Sequence, residues 1–207
     1  REVTAHCMNP GSMKGLVAEG SAVWLTPHDD PKRKLQWTWQ IAHQGETAVG
    51  VNTNLPNGLV AAAAEAGAIE GLEGYATYRR EVRYGSERSR IDLLAEGHPD
   101  DPRPCYVEIK SVTLADDGVA MFPDAVTARG LKHLRELERV VSDGGRAVMF
   151  YLVQRNDCVR YAPAAHIDPA YAQGVLSAKQ QGVEFYAYAA EVEPAGVTLG
   201  DALETSP

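Results

Sequence analysis

An acid in one strand-like run, Asp92 of SRIDLL, and an E-x-K triplet in the next, Glu108-Ile109-Lys110 of YVEIKS, are the residue types that phosphodiester hydrolysis requires. Alternation along a strand puts Glu108 and Lys110 on one face, with Val107 and Ile109 on the other. If the two runs pair as a hairpin, Asp92 meets that polar face, and two carboxylates and an ammonium converge. Carboxylates are hard oxygen ligands for a divalent ion such as Mg²⁺ or Mn²⁺, and Mg²⁺ usually keeps several waters. A neighbouring lysine can position or activate one of those waters. Asp92, Glu108 and Lys110 are therefore the expected catalytic set. The same three residues also make an ordinary salt-bridge cluster on a hairpin face, and so short a motif leaves both readings open.

The chain around this segment has 207 residues, 44% of them hydrophobic, enough for one large domain or two small ones. Its formal net charge is −8. An acidic balance disfavours a general polyanion binder, so any nucleic-acid surface must be local. Three cysteines, Cys7, Cys105 and Cys158, are far apart and make no zinc spacing. They read as reduced thiols, which points to the cytoplasm. No run approaches the roughly 18 apolar residues of a membrane span, and no secretory leader is visible. The chain opens at Arg1 inside what reads as a strand, so residues upstream of it are expected.

Residues 1–50 read as β-rich: VTAH, SAVWLT, QWTWQIA and TAVGVN are separated by dense turn formers. This pattern predicts a small sheet or partial barrel. An α/β part over 51–190 follows. An alanine-rich helix begins near Asn54 and Pro56 and is punctuated by Gly67 and Gly71. Strands are expected at 80–84, 89–95 and 106–112. A helix spans 127–142, with Thr127 as cap and Leu134, Leu137 and Val141 as its stripe. Residues 147–154, AVMFYLVQ, read as a strand buried on both faces. A helix over 169–181 and a strand over 183–189 complete the pattern, and 191–207 reads as a tail.

Further residues have chemistry to offer. Glu81 sits on the strand before Asp92 and is a possible extra ligand, though a solvated strand charge is the commoner outcome. Asp116-Asp117-Gly118 and Pro123-Asp124 are turn chemistry. Arg129, Lys132, His133 and Glu136 share a helical face opposite the leucines. The expectation is that Arg129 and Lys132 contact phosphate and His133 supports the cleft; the alternative is a solvated face with i,i+3 and i,i+4 ion pairs. Lys32, Arg33 and Lys34 precede Trp37 and Trp39. The basic run is expected to meet nucleic-acid phosphates, and the tryptophans are expected to pack inward. His6, Asn9, Gly11 and Met13 form a loop to which the sequence assigns no role. No Walker loop, G-x-G-x-x-G or G-x-S-x-G occurs.

The segments AHCMNPGSMKG, DDPKRKLQWTWQ, GVNTNLPN, EVRYGSERSRIDLL, YVEIKSVTLADDG, FPDAVTARGLKHLREL and YAPAAHIDPAYA together resemble the sugar fermentation stimulation protein family, SfsA. More broadly they resemble the restriction-endonuclease-like PD-(D/E)XK superfamily. The resemblance implies an N-terminal OB-like domain, a nuclease-like α/β domain built on a mixed sheet flanked by helices, DNA binding, and a link to the regulation of sugar metabolism. By motif, Asp92 takes the strand acid, and Glu108 and Lys110 take the E-x-K positions. Asp92, Glu108 and the Ile109 carbonyl would then hold the metal ion. DNA would be gripped mainly through its phosphates, with low sequence specificity, by Lys32, Arg33, Lys34, Arg129, Lys132 and His133. The chain departs from the family pattern at Ile91, where proline is common, and at Ala62 of AAAAEAG, where the first helix often carries an acid. The rival readings are a DNA-binding regulator that keeps a nuclease scaffold without turnover, and an enzyme acting on a small sugar phosphate.

Overall fold

Short β-branched and aromatic runs at the start of the chain fold around one long strand. In the computed structural model, which describes residues 2–85 and 89–206, that strand is β3 (Trp37–Gln44), following β1 (His6–Cys7) and β2 (Val23–Pro27). It pairs in parallel with β1 and antiparallel with both β2 and β4 (Thr47–Gly50). The β3–β4 connection is two residues long, and its first residue, Gly45, has φ +61°, a conformation that glycine takes without steric cost. Ala42, Val49 and Val51 of this sheet bury Met13 and Leu16 from the preceding loop.

The larger part begins with α1 (Leu55–Glu65). Pro56 stands in its first turn, as expected. Asn54 occupies the cap position, but its side chain makes no capping bond. The Asn54 N–H is instead received by the Asn52 side chain at 3.0 Å. Then follow β5 (Thr77–Tyr84), β6 (Ser89–Glu96), β7 (Cys105–Val112), β8 (Leu114–Asp116), β9 (Val119–Phe122), α2 (Ala128–Ser142), β10 (Arg146–Val153), β11 (Arg160–Pro163), α3 (Pro169–Gln180), β12 (Glu184–Glu193), β13 (Gly196–Ala202) and β14 (Glu204–Thr205). Ser86, Glu87 and Arg88 of the EVRYGSERSRIDLL segment lie outside the described residues.

The main sheet runs in the order β13-β12-β10-β7-β6-β5, parallel at β7, β10 and β12 and antiparallel at its edges. Strand β10 is central and apolar on both faces, as its unbroken hydrophobic run requires. Val148, Phe150 and Leu152 pack with Val60 and Ala64 of α1. Ala147, Met149, Tyr151 and Val153 pack with Leu134 and Leu137 of α2 and Val175 of α3. One helix thus covers one face and two cover the other. Burying each large apolar side chain stabilises this arrangement by about 1.5–3 kcal/mol. Thr127 caps α2 by accepting the Gly130 N–H at 3.0 Å, and Asp168 caps α3 through Tyr171 N–H at 3.0 Å.

Residues 191–206 of the expected tail over 191–207 are instead built into the fold. They finish β12, form β13 at the sheet edge and return as β14 beside β11 in a small sheet ordered β14-β11-β9-β8. The two parts of the chain are clasped together. The Asp124 carboxylate accepts from Ser12 N at 2.7 Å and Ser12 Oγ at 2.9 Å. Arg155 donates to Gln44 Oε1 and to Thr113 O while holding Asp157 with two bonds. Among the described residues, no helix is long and apolar enough to cross a membrane.

Candidate functional site

The site exists because β6 parts from β7. The two strands pair at Leu93–Val107, Leu94–Tyr106 and Ala95–Cys105, and the ladder stops there. The side-chain alternation of β6 breaks at the same place: Leu93 packs toward α1, whereas Ile91 packs toward α2. Across β6 from Asp92, between the pairs Arg80–Leu93 and Val82–Ile91, stands Glu81, whose φ of +55° is rare for a non-glycine residue. The strands therefore fork at Asp92, and its side chain fills the gap. Asp92 Oδ2 accepts the Ile109 N–H at 2.8 Å, replacing a lost ladder bond, while Oδ1 accepts from Asn57 Nδ2 of α1 at 2.7 Å. The N–H and C=O of an extended residue share one strand edge, so the Ile109 carbonyl faces the same gap.

Glu108 and Lys110 project to the α2 side, as their alternation requires. Glu108 is only 3% exposed. Its Oε1 accepts from Lys110 Nζ at 2.7 Å and is in contact with His133 Nδ1. Lys110 Nζ also lies 3.0 Å from His133 Nδ1. On the far side of the ring, Arg129 Nε approaches His133 Nε2 at 3.4 Å. With a proton on Nδ1 the ring gives to Glu108. The second oxygen of Glu108, Oε2, is buried and has no hydrogen-bond partner among the described residues.

The two carboxylates are pushed in opposite directions. Burial, then the charge of Glu108, raises Asp92 to about 6, against the Ile109 N–H and the Lys110 ammonium. Burial also pushes Glu108 up, but the Lys110 charge and the His133 contacts outweigh it and hold Glu108 below its ordinary value. Tyr84 at the end of β5 is pushed well above the phenol range by burial, then by the charges of Glu108, Glu136 and Asp92.

This donor set suits a hard divalent ion. Asp92 and Glu108 offer carboxylate oxygens that repel each other when empty, Glu108 Oε2 is an orphaned buried acceptor, and the Ile109 carbonyl edge adds a third oxygen. The set remains small: among the described residues, no group of three or more His, Cys, Asp or Glu is arranged to hold a metal ion.

Asp92 is tied to the Ile109 N–H and Glu108 to Lys110, and Asp92 feels the charges of both Glu108 and Lys110. His133 is not on a solvated face. It is 5% exposed and lies inside the site, because the α2 surface flanking its leucine stripe is pressed against β7. Glu136, one turn on, is buried with it. Arg129 is exposed and Lys132 half-buried. In the basic loop Lys32 and Lys34 are exposed, while Arg33 turns back to donate to Thr38 Oγ1 at 3.0 Å. Trp37 and Trp39 are half-buried, and Trp39 donates from its ring nitrogen to Ile41 O. On α1, Ala62 and Glu65 are exposed, and the residue that reaches the site is Asn57. Asn57 lies in the GVNTNLPN segment, an unusual density of asparagine at a helix start, which was its only signal in the sequence.

Residues 54–196 match a family model described as the sugar fermentation stimulation protein RE domain, and residues 1–51 match one described as the SfsA N-terminal OB domain. A sugar fermentation stimulation protein homolog of Geobacter metallireducens is 51% identical over 201 residues, covering 97% of this chain and 85% of that protein. One of Thermosynechococcus vestitus is 49% identical over 197 residues, covering 94% of this chain and 81% of that protein. Among solved structures, that of Pyrococcus furiosus SfsA in complex with Ca²⁺ superposes with a TM-score of 0.89 at 25% identity, covering 100% of this chain and 87% of that one.

Proposed function

Because this chain belongs to the sugar fermentation stimulation protein family, we propose that it is a DNA-binding protein whose β6–β7 fork hydrolyses phosphodiester bonds with a divalent metal, in a role tied to the regulation of sugar metabolism. The observation that carries this reading is the fork itself. Asp92 leaves the ladder, takes the Ile109 N–H and feels the charge of Glu108, whose partner is Lys110. The Ca²⁺ complex of the Pyrococcus relative supports a divalent ion in this family, and Mg²⁺ or Mn²⁺ is the proposed ion here.

Asp92, Glu108 and the Ile109 carbonyl would hold the ion. When bound, it lowers the pKa of a water, polarises the phosphate and offsets the repulsion of the two carboxylates. The protein's own groups do the rest. Asn57 and the Ile109 N–H lock both oxygens of Asp92 in place, so it needs no reorganisation. Lys110 spends one N–H on Glu108 and keeps others for the attacking oxygen and for charge developing on the phosphorus. His133 holds Glu108 in place through its Nδ1 contact with Oε1. Phosphate contacts from Lys32, Lys34, Arg129 and Lys132 would hold the duplex without reading its sequence.

The test is incubation of plasmid and linear DNA with Mg²⁺ or Mn²⁺, beside Asp92→Asn, Glu108→Gln and Lys110→Met. The expected result is cleavage lost by about 10²-fold or more in each variant, with DNA binding retained. Undiminished cleavage in all three overturns the assignment. A second reading, a DNA-binding regulator without turnover, is favoured by the small ligand set and by Ala62. Tight DNA binding by a wild-type protein that cleaves nothing would establish it.

A further inference from the structure

Three buried oxygen-bearing side chains from three elements lie behind the fork with unused hydrogen-bonding capacity. Glu136 of α2 is 1% exposed, and neither of its carboxylate oxygens has a hydrogen-bond partner among the described residues. Glu108 Oε2 on β7 and the Tyr84 hydroxyl on β5 are in the same condition. They share one neighbourhood: Glu136 lies one helical turn from His133, which contacts Glu108, and Tyr84 and Glu136 line the same cleft. Glu136 Oε1 points at the end of β5 and would come within 2.8 Å of a Cβ at position 85, where the chain has glycine. A cleft of about 450 Å³, with Tyr84, Tyr106 and Glu136 among its walls, opens this neighbourhood outward.

Buried polar groups in native proteins nearly always have partners, and a buried ionised carboxylate without one is strongly disfavoured unless a cation meets it. The groups here are oxygen donors only, with no sulfur. That chemistry selects a hard divalent ion, and Mg²⁺ in particular is commonly held by one or two carboxylates with water completing its shell. We propose that Glu136, Glu108 Oε2 and the Tyr84 hydroxyl form a second divalent-cation site, separate from the Asp92 position and joined to it through Glu108. Among the described residues, the additional acid comes from α2 rather than from α1, where Ala62 and Glu65 face solvent. The proposal shares Glu108 with the proposed active site but does not depend on DNA cleavage.

Counting Mn²⁺ by equilibrium dialysis and electron paramagnetic resonance tests it, with circular dichroism as the check on folding. The wild-type chain should bind about two ions, Glu136→Gln about one, and Asp92→Asn about one. Tyr84→Phe, which keeps the ring and removes only the hydroxyl, should weaken the second ion several-fold. Because Gln carries no charge, Glu136→Gln should also gain less thermal stability than wild type on adding Mn²⁺. One ion in wild type, still bound in Glu136→Gln, overturns the second site and leaves the Asp92 site standing. Two ions unaffected by Asp92→Asn would instead remove the first site. Two ions unaffected by Glu136→Gln would overturn this proposal outright.

Discussion

The raised Asp92 carboxyl makes a prediction about stability that does not involve DNA. In the unfolded chain an aspartate titrates near 3.8; in the fold Asp92 titrates at about 6. Between those values the native state binds the extra proton, so stability falls as pH rises through the window and stays lower above it. The difference of about 2 pH units corresponds to at most about 3 kcal/mol at neutral pH. Asp92→Asn removes the titration while keeping the shape. Its amide oxygen still accepts from Ile109 N–H, and the Asn57 amide can turn over to receive the new N–H₂. In metal-free buffer the variant should therefore match or fall below wild type near pH 4 and exceed it by up to about 3 kcal/mol at pH 7.5. Glu108 runs the other way: its stabilisation is lost as pH falls below about 4.5, which touches only the acid end of this window. Urea unfolding of both proteins at half-unit steps from pH 4.5 to 8, with EDTA present, measures the difference directly. Parallel profiles, with the gap constant across pH, would show that Asp92 is not desolvated and that the fork is open to water.

Other outcomes follow from the same geometry. Mn²⁺ at about a hundred times its dissociation constant should stabilise the wild-type fold by roughly 2.7 kcal/mol for each ion bound; differential scanning fluorimetry should show the gain from the Asp92 site shrinking below pH 6, where Asp92 holds its proton. Arg146 on β10 forms two bonds with Glu184 at 2.6 and 2.7 Å and also donates to Gly71 O and Tyr75. Arg146→Met should cost about 3 kcal/mol or more, read as a lowered denaturation midpoint, because it strands those partners. Lys32→Glu with Lys34→Glu should weaken binding equally for unrelated DNA sequences and flatten the dependence of affinity on salt; fluorescence anisotropy at several salt concentrations tests this, and an unchanged slope removes the loop from the interface.

How much of this was legible in the chain differs from element to element. The helices at Ala128–Ser142 and Pro169–Gln180 and the strand at Arg146–Val153 announce themselves through caps and periodicity, which are local properties. Strands β8, β9, β11, β13 and β14 do not. Strands β8 and β13 depend on short hairpin turns to the strands beside them, while β11 and β14 are short and are strands only because a partner distant in sequence lies beside them, as Arg160 does for Glu204. Asp124, read as turn chemistry, fastens the N-terminal loop at Ser12. The burial of His133 and Glu136 was not fixed by the sequence, which offered both a cleft-supporting His133 and a solvated face, since helical spacing identifies the apolar stripe but not how far the neighbouring sheet wraps around it.

The amino-acid sequence alone determined which side chains share a face: the spacing of Glu108 and Lys110 sends both to one side of β7 whatever surrounds them, because strand geometry alternates. Only the tertiary structure decided what meets that face. The separation of β6 from β7 turns Asp92 into the gap, brings Asn57 from an earlier helix and carries His133 and Glu136 in from a later one. These contacts join residues that are remote in the chain. They depend on how sheets and helices pack, which no local preference encodes.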